Sequence, residues 1–173
     1  MNKLEQAQII LKDLGLPAAQ QNEMSALTLL ALCNIKENDN WINATRQSLG
    51  VTKGIMSFIT DNYKREYAPN TRETVRRQVL HQFVQAQIAD YNPDIPDLPV
   101  NSPKAHYAIS NIALETIRKF GTRYWQKAIK KFKSEVGNLS ETYRQNREHV
   151  QVPVKLDNFP KNEPIAVLLA ATI

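Results

Sequence analysis

Three features predict a mainly α-helical fold with a small β-hairpin. Apolar residues recur at helical spacing over most of the first 137 positions, and the stretch YAPNTRET carries an explicit helix-start signal. A proline-rich segment flanked by two short apolar runs then follows.

The elements follow in order. LEQAQIILKDLGL repeats apolar residues at helical period and stops at Gly15 and Pro17, a C-cap residue followed by a helix breaker. Asn22 can cap NEMSALTLLALCNI, in which Leu27, Leu29, Leu30 and Leu32 give a nearly all-round apolar surface, the pattern of a central buried helix. After the polar turn KENDN, WINATRQS and GIMSFITDNYKREY read as two more helices, the first short and headed by Trp41, the second with Ile55, Met56, Phe58, Ile59 and Tyr63 at helical spacing. Pro69, Asn70 as N-cap and Glu73 as its capping-box partner open a helix predicted from Thr71 to Ala89. Prolines exclude helix from YNPDIPDLPVNSPKAHYAI, leaving strands near Ile88 to Tyr91 and His106 to Ile109 joined by a long turn. Helix, helix, helix, hairpin is the order of a winged helix-turn-helix core. Ser110 and Asn111 can cap SNIALETIRKF, and Gly121 ends it. TRYWQKAIKKFKSEV continues as a basic amphipathic helix with Tyr124, Trp125, Ile129 and Phe132 on its apolar side. NLSETYRQNREHV reads as a polar connection and VQVPVKL as a strand, so the boundary is placed near Gly137 to Ser140. Residues 1–137 form the helical domain, and 138–173 a linker with the start of a following domain.

Composition narrows the function classes. An apolar fraction of 42% and a charged fraction of 23% are those of an ordinary globular domain, and the net charge of +5 favours polyanionic partners. Cys33 is the only cysteine and sits in an apolar run, which excludes an intramolecular disulfide and a thiolate metal cluster. The N-terminus lacks a signal-peptide pattern, and no apolar run approaches the ~20 residues of a membrane span, so a cytoplasmic location is expected. His81, His106 and His149 are scattered without zinc-ligand spacing, and the five glycines form no phosphate loop. No catalytic residue, metal or cofactor is expected in this chain.

The helix opened by YAPNTRET carries the candidate site. Val75, Val79, Phe83 and Ala86 share one side of the wheel, and Thr74, Arg77, Gln78, His81, Gln82 and Gln85 lie on or beside the other. That row has the chemistry of base-edge readers: arginine bridges the two acceptors of guanine, glutamine pairs with adenine, and threonine touches the thymine methyl. Residues nearest the helix N-terminus reach deepest into the groove, which favours Thr71, Thr74, Arg77 and Gln78 for base contacts. Arg72 and Arg76 project toward the apolar side, where they serve either as phosphate ligands or in an ion pair with an acid such as Glu23. Lys64, Arg65, and Asn101, Ser102 and Lys104 of the wing would flank a duplex and contact phosphates. The bland alternative is a solubilising polar face on a packed core helix. Trp41, Tyr124 and Trp125 are read as core packing rather than base stacking.

The blocks QQNEMSALTLLALCNI, YAPNTRETVRRQVLHQFVQAQIADYNPD and PVNSPKAHYAI resemble the N-terminal domain of the BsuBI/PstI-type restriction endonucleases, over roughly Leu4 to Val154. The resemblance implies a helix-turn-helix DNA-binding domain ahead of a PD-(D/E)XK nuclease domain. It further implies recognition of a CTGCAG-type palindrome within a restriction-modification system and Mg²⁺-dependent cleavage by a full-length homodimer. The closing segment DNFPKNEPIAVLLAATI does not align with that nuclease domain, and no acidic residue has lysine two positions on, as such nucleases require. The catalytic half is therefore expected to be missing from the chain. Asp90, Asp94 and Asp97 cluster in the proline-rich turn, where carboxylates ordinarily make local backbone bonds. Two readings from other classes remain: a winged-helix transcriptional regulator, in which TRYWQKAIKKFKSEV is the dimerisation helix, and a protein-interaction module docking on a separate nuclease subunit.

Overall fold

The protein was analysed as a computed structural model, which describes residues 1–99 and 102–149, with side chains described in the second stretch as far as 137. Helix α1 (Lys3–Asp13) opens on a capping box that the sequence reading did not single out. The Asn2 side chain accepts from the Glu5 amide at 2.8 Å, and the Glu5 carboxylate accepts from the Asn2 amide at 3.0 Å. The helix stops as expected, with Gly15 turning through a positive φ of 100° just before Pro17.

Helix α2 (Glu23–Cys33) is the centre. Asn22 caps it by accepting from the Ser25 amide at 2.9 Å, and all residues from Ser25 to Cys33 are buried. An apolar sequence on every side requires neighbours on every side, and α2 has them: α1, the helices of residues 51–63 and 71–85, and the strand Tyr107–Ile109 all pack on it. Cys33 is wholly enclosed, and burial pushes its thiol up to about 12.

The segment after α2 is less helical than the sequence suggested. WINATRQS forms only a single 3₁₀ turn, Trp41–Asn43, because it is anchored at one point: Trp41 is buried and its indole donates to Gln6 at 2.7 Å. Helix α3 begins earlier than expected, as a π-helical turn Val51–Met56 that continues regularly as Ser57–Tyr63. Gly54 permits that start, since a Cβ there would lie 2.9 Å from the Leu49 Cβ.

Helix α4 covers residues 71–85 as Thr71–Thr74, a π-helical stretch Val75–Leu80, and His81–Gln85. Two expectations are corrected here. Asn70 is not a side-chain N-cap: it already has helical backbone angles, the preceding turn Ala68 to Thr71 closes by a 2.9 Å backbone bond, and Glu73 is engaged elsewhere. The helix also ends at Gln85 rather than near Ala89, because Gln87 takes a left-handed φ of 59° and the chain leaves as a strand.

Strands β1 (Ala89–Tyr91) and β2 (Tyr107–Ile109) pair antiparallel with Ala89 opposite Ile109 and Tyr91 opposite Tyr107. Leu49 bridges to Tyr107 by two backbone bonds of 2.8 Å, which ties the entry to α3 onto the hairpin. Helix α5 (Asn111–Ile117) is capped by Ser110, whose hydroxyl accepts from the Ala113 amide. Helix α6 spans Trp125–His149, so the run after Gly137 that reads as a polar connection is helical to His149. Trp125, Ile129 and Phe132 are buried as expected, and Ala128 with them, whereas Tyr124 is half exposed at the surface with the Arg123 guanidinium 4.8 Å above its ring. Residues 1–137 form one compact unit and 138–173 a second. The strand expected in VQVPVKL lies outside the described residues. Among the described residues the result is a mainly helical fold with one two-stranded antiparallel sheet.

Candidate nucleic-acid interface

Helices α3 and α4 follow one another across the short link of residues 64–70, and both rest on α2. Two anchors fix their geometry. The Tyr63 hydroxyl donates to the Ile35 carbonyl at 2.7 Å, holding the end of α3 to the end of α2. Val75, Val79, Leu80 and Phe83 sink one side of α4 into the core. Burying one face of a helix commits the other to solvent, and that face carries Arg72, Arg77, Gln78, His81 and Gln85, all exposed, with Thr71, Thr74 and Gln82 at its half-buried margins.

Glu73 is the one acid in α4, and it holds two guanidiniums. Its carboxylate accepts from Arg76 Nε at 3.3 Å and Nη2 at 3.0 Å, and lies 3.3 Å from Arg77 Nε. The Arg76 hydrogen bonds in particular hold the Glu73 carboxyl below its ordinary value. Of the two alternatives for Arg72 and Arg76, the pairing with Glu23 is not formed: Arg76 bonds Glu73 within its own helix, and Glu23 is taken by Arg65 at 2.6 Å. Arg72 is exposed on the solvent side instead of lying toward the core.

The flanking cations are partly spent on the fold. Arg65 is the partner of Glu23, and Lys64 closes α3 with a left-handed backbone, its ammonium donating to the Asp61 carbonyl at 2.8 Å. Lys104 is exposed, and its amide donates to the Ser102 hydroxyl at 3.1 Å within the hairpin loop; Asn101 lies outside the described residues.

The hairpin loop has its own polar scaffold. Buried Asn92 accepts from the His106 amide at 2.9 Å through its side chain. The His106 ring bonds the Lys104 carbonyl at 2.9 Å through Nδ1 and meets the Asp94 carboxylate through Nε2. These contacts, the Lys104 carbonyl first, raise the His106 pKa, and the same imidazole lowers that of Asp94. Asp90 pairs with Arg46 at 2.7 Å. Among the described residues no group of three or more His, Cys, Asp or Glu side chains is arranged to hold a metal ion; Asp90 is paired with the Arg46 guanidinium and Asp94 with the His106 imidazole.

Sequence reasoning missed the place where α4 meets the hairpin. Arg76, Arg77, His81 and Val84 of α4 face Tyr91 and Tyr107 across an open cleft of about 400 Å³. The two tyrosine rings pack with centroids 5.1 Å apart. Helical period alone cannot signal this, because Tyr107 arrives through strand pairing.

With this geometry in hand, comparison with known proteins is decisive. A family model described as the BsuBI/PstI restriction endonuclease HTH domain matches residues 1–141. The chain belongs to that family. This BsuBI/PstI-type domain is 46% identical over 155 residues to the type II restriction enzyme BsuBI of Bacillus subtilis, covering 90% of the chain and 49% of that protein. It is 32% identical over 151 residues to the type II restriction enzyme AplI of Arthrospira platensis, covering 87% of the chain and 46% of that protein. A solved structure, that of the SdaI restriction endonuclease, superposes with a TM-score of 0.72 at 35% identity, over 80% of this chain and 44% of that one. The BsuBI/PstI-type chain thus spans about half the length of the relatives it matches. No described helix is long and apolar enough to cross a membrane.

Proposed function

We propose that this chain binds double-stranded DNA and supplies sequence recognition to a type II restriction endonuclease, with α4 in the major groove reading a CTGCAG-type palindrome. The observation that carries the reading is the exposed row Arg77, Gln78, His81 and Gln85 on a helix whose opposite side is fully buried. Guanidinium and amide heads match base edges, and a helix anchored along its back can present them without rearrangement. The relatives named above, all restriction enzymes, supply the context.

The order of elements supports a winged helix-turn-helix arrangement. The order is α2, a strand residue at Leu49 bridged to β2, α3, α4, then β1 and β2. The hairpin, with Ser102 and Lys104 in its loop, is the wing that meets the backbone beside the groove. Thr71, Thr74, Arg77 and Gln78 contact bases, and Arg72 and Lys104 contact phosphates. Two chains of the full-length enzyme meet the two halves of the palindrome, and the Mg²⁺-dependent cleavage step belongs to the remaining half of such an enzyme.

Fluorescence anisotropy with a CTGCAG duplex and a scrambled duplex at two salt concentrations tests this. A preference of about tenfold or more, equivalent to about 1.4 kcal/mol, that is lost in Arg77→Ala supports α4 as the reader. Equal affinity for both duplexes removes sequence recognition from this domain, and no binding to either favours a protein-interaction module.

A further inference from the structure

We propose that the cleft between α4 and the β1–β2 hairpin is a subsite for one deoxyribose-phosphate unit of the DNA backbone. Its lining combines two chemistries. From α4 come Arg76 and His81, nitrogen donors suited to phosphate oxygens, while Tyr91 and Tyr107 of the hairpin, with Val84 of α4, supply an aromatic and aliphatic surface that a phosphate alone does not need but a sugar face does. The cleft is also in the right place. When a helix lies in the major groove and a neighbouring hairpin meets the backbone, the strand must cross between them, and that is where these side chains converge. At about 400 Å³ it exceeds the needs of a bound water yet stays open along one side, as a continuous strand requires.

Arg76 is the principal phosphate ligand. Its side chain is 31% exposed, and its two hydrogen bonds to Glu73 hold the guanidinium in place instead of letting it sweep through solvent. The charge balance favours an anion, since Glu73 offsets one of the two arginines and leaves the other uncompensated within the pair. Tyr107 is nearly buried and fixed by its pairing to both Leu49 and Tyr91, so the aromatic wall is preformed.

The inference rests on α4 being the DNA-reading helix, and the test separates the two. The 173-residue chain is titrated against CTGCAG duplexes in which one phosphate at a time is replaced by an uncharged methylphosphonate. One position in each half-site is expected to weaken wild-type binding about tenfold, as a charge-assisted hydrogen bond is lost. Arg76→Gln is expected to be insensitive to that same replacement while keeping the effects at other phosphates, with a salt slope shallower by about one. Tyr91→Leu is expected to weaken binding a few-fold with an unchanged salt slope. An identical phosphate profile in wild type and Arg76→Gln, with CTGCAG preference retained, overturns the cleft subsite alone; absence of wild-type binding to any duplex overturns it together with the DNA-reading function. If Arg76→Gln does not fold by circular dichroism, exposed His81→Gln is measured instead. Loss of sensitivity at the same phosphate supports the subsite, and an unaltered profile overturns it.

Discussion

Helices α2 and α4 start from similar sequence signals and end in opposite roles. Both follow an asparagine, and both have apolar residues at helical spacing. In α2 the apolar residues run all round and the whole of Ser25–Cys33 is buried, whereas in α4 they occupy one side and the other side keeps arginine, glutamine and histidine in solvent. The contrast shows that what distinguishes a scaffold helix from a presenting helix is the width of the apolar arc, since any face not covered by neighbours is available for chemistry. α2 is the mould, and α4 is the part whose free face it orients.

The sharpest way to break that division is Leu30→Ala in α2. Leu30 is fully enclosed, so truncation is expected to cost about 2–5 kcal/mol by loss of burial and creation of a cavity, read as a lower denaturation midpoint. Among the molecules that remain folded, the ratio of affinities for CTGCAG and scrambled duplexes is expected to stay the same; a changed ratio would mean that α2 does more than support. Arg77→Ala should behave conversely. The guanidinium is 75% exposed, so stability is expected to move by no more than about 0.5 kcal/mol, while discrimination between the duplexes falls by about 1–3 kcal/mol. Asn22→Ala removes the α2 cap bond and is expected to cost about 1 kcal/mol, measurable by urea titration with no change in discrimination.

The smallest effect concerns the hairpin loop. The His106 pKa is raised above its ordinary 6.5 and that of Asp94 lowered below its ordinary 3.8. The contribution of His106 is complete below pH 6.5 and fades as pH rises through its raised value, while that of Asp94 is complete above 3.8 and fades as pH falls through its lowered value. The pair therefore supports the loop most between these limits. The protection factor of the His106 amide, the exchange rate corrected for its intrinsic pH dependence, is expected to be largest in that window and to vary less with pH in Asp94→Asn.

Much of this was legible in the sequence, and the failures have physical causes. Asn22 and Ser110 were readable caps because each sits in extended backbone, while Asn70, with the same chemistry, already lies in helical geometry and bonds nothing as a cap. The burial of Leu80 was not readable. A regular helix turns it away from Val75, but the π-helical stretch Val75–Leu80 aligns residues five apart, and both end up fully enclosed. For the candidate site, the exposed row from Arg77 to Gln85 followed from period alone. The Glu73 clamp and the tyrosine wall did not, since the first depends on side-chain conformations and the second on the register across the long hairpin loop.

The enclosure of Cys33 has a practical side. The only thiol in the chain is sealed inside α2 and held protonated, so maleimides and other thiol reagents find no thiol on the native surface. A single cysteine introduced by mutation at Lys104 would then be labelled alone, with no background to remove. The wild-type fold is already a clean host for a fluorophore or spin label on the hairpin, from which the distance to a labelled duplex can be measured directly.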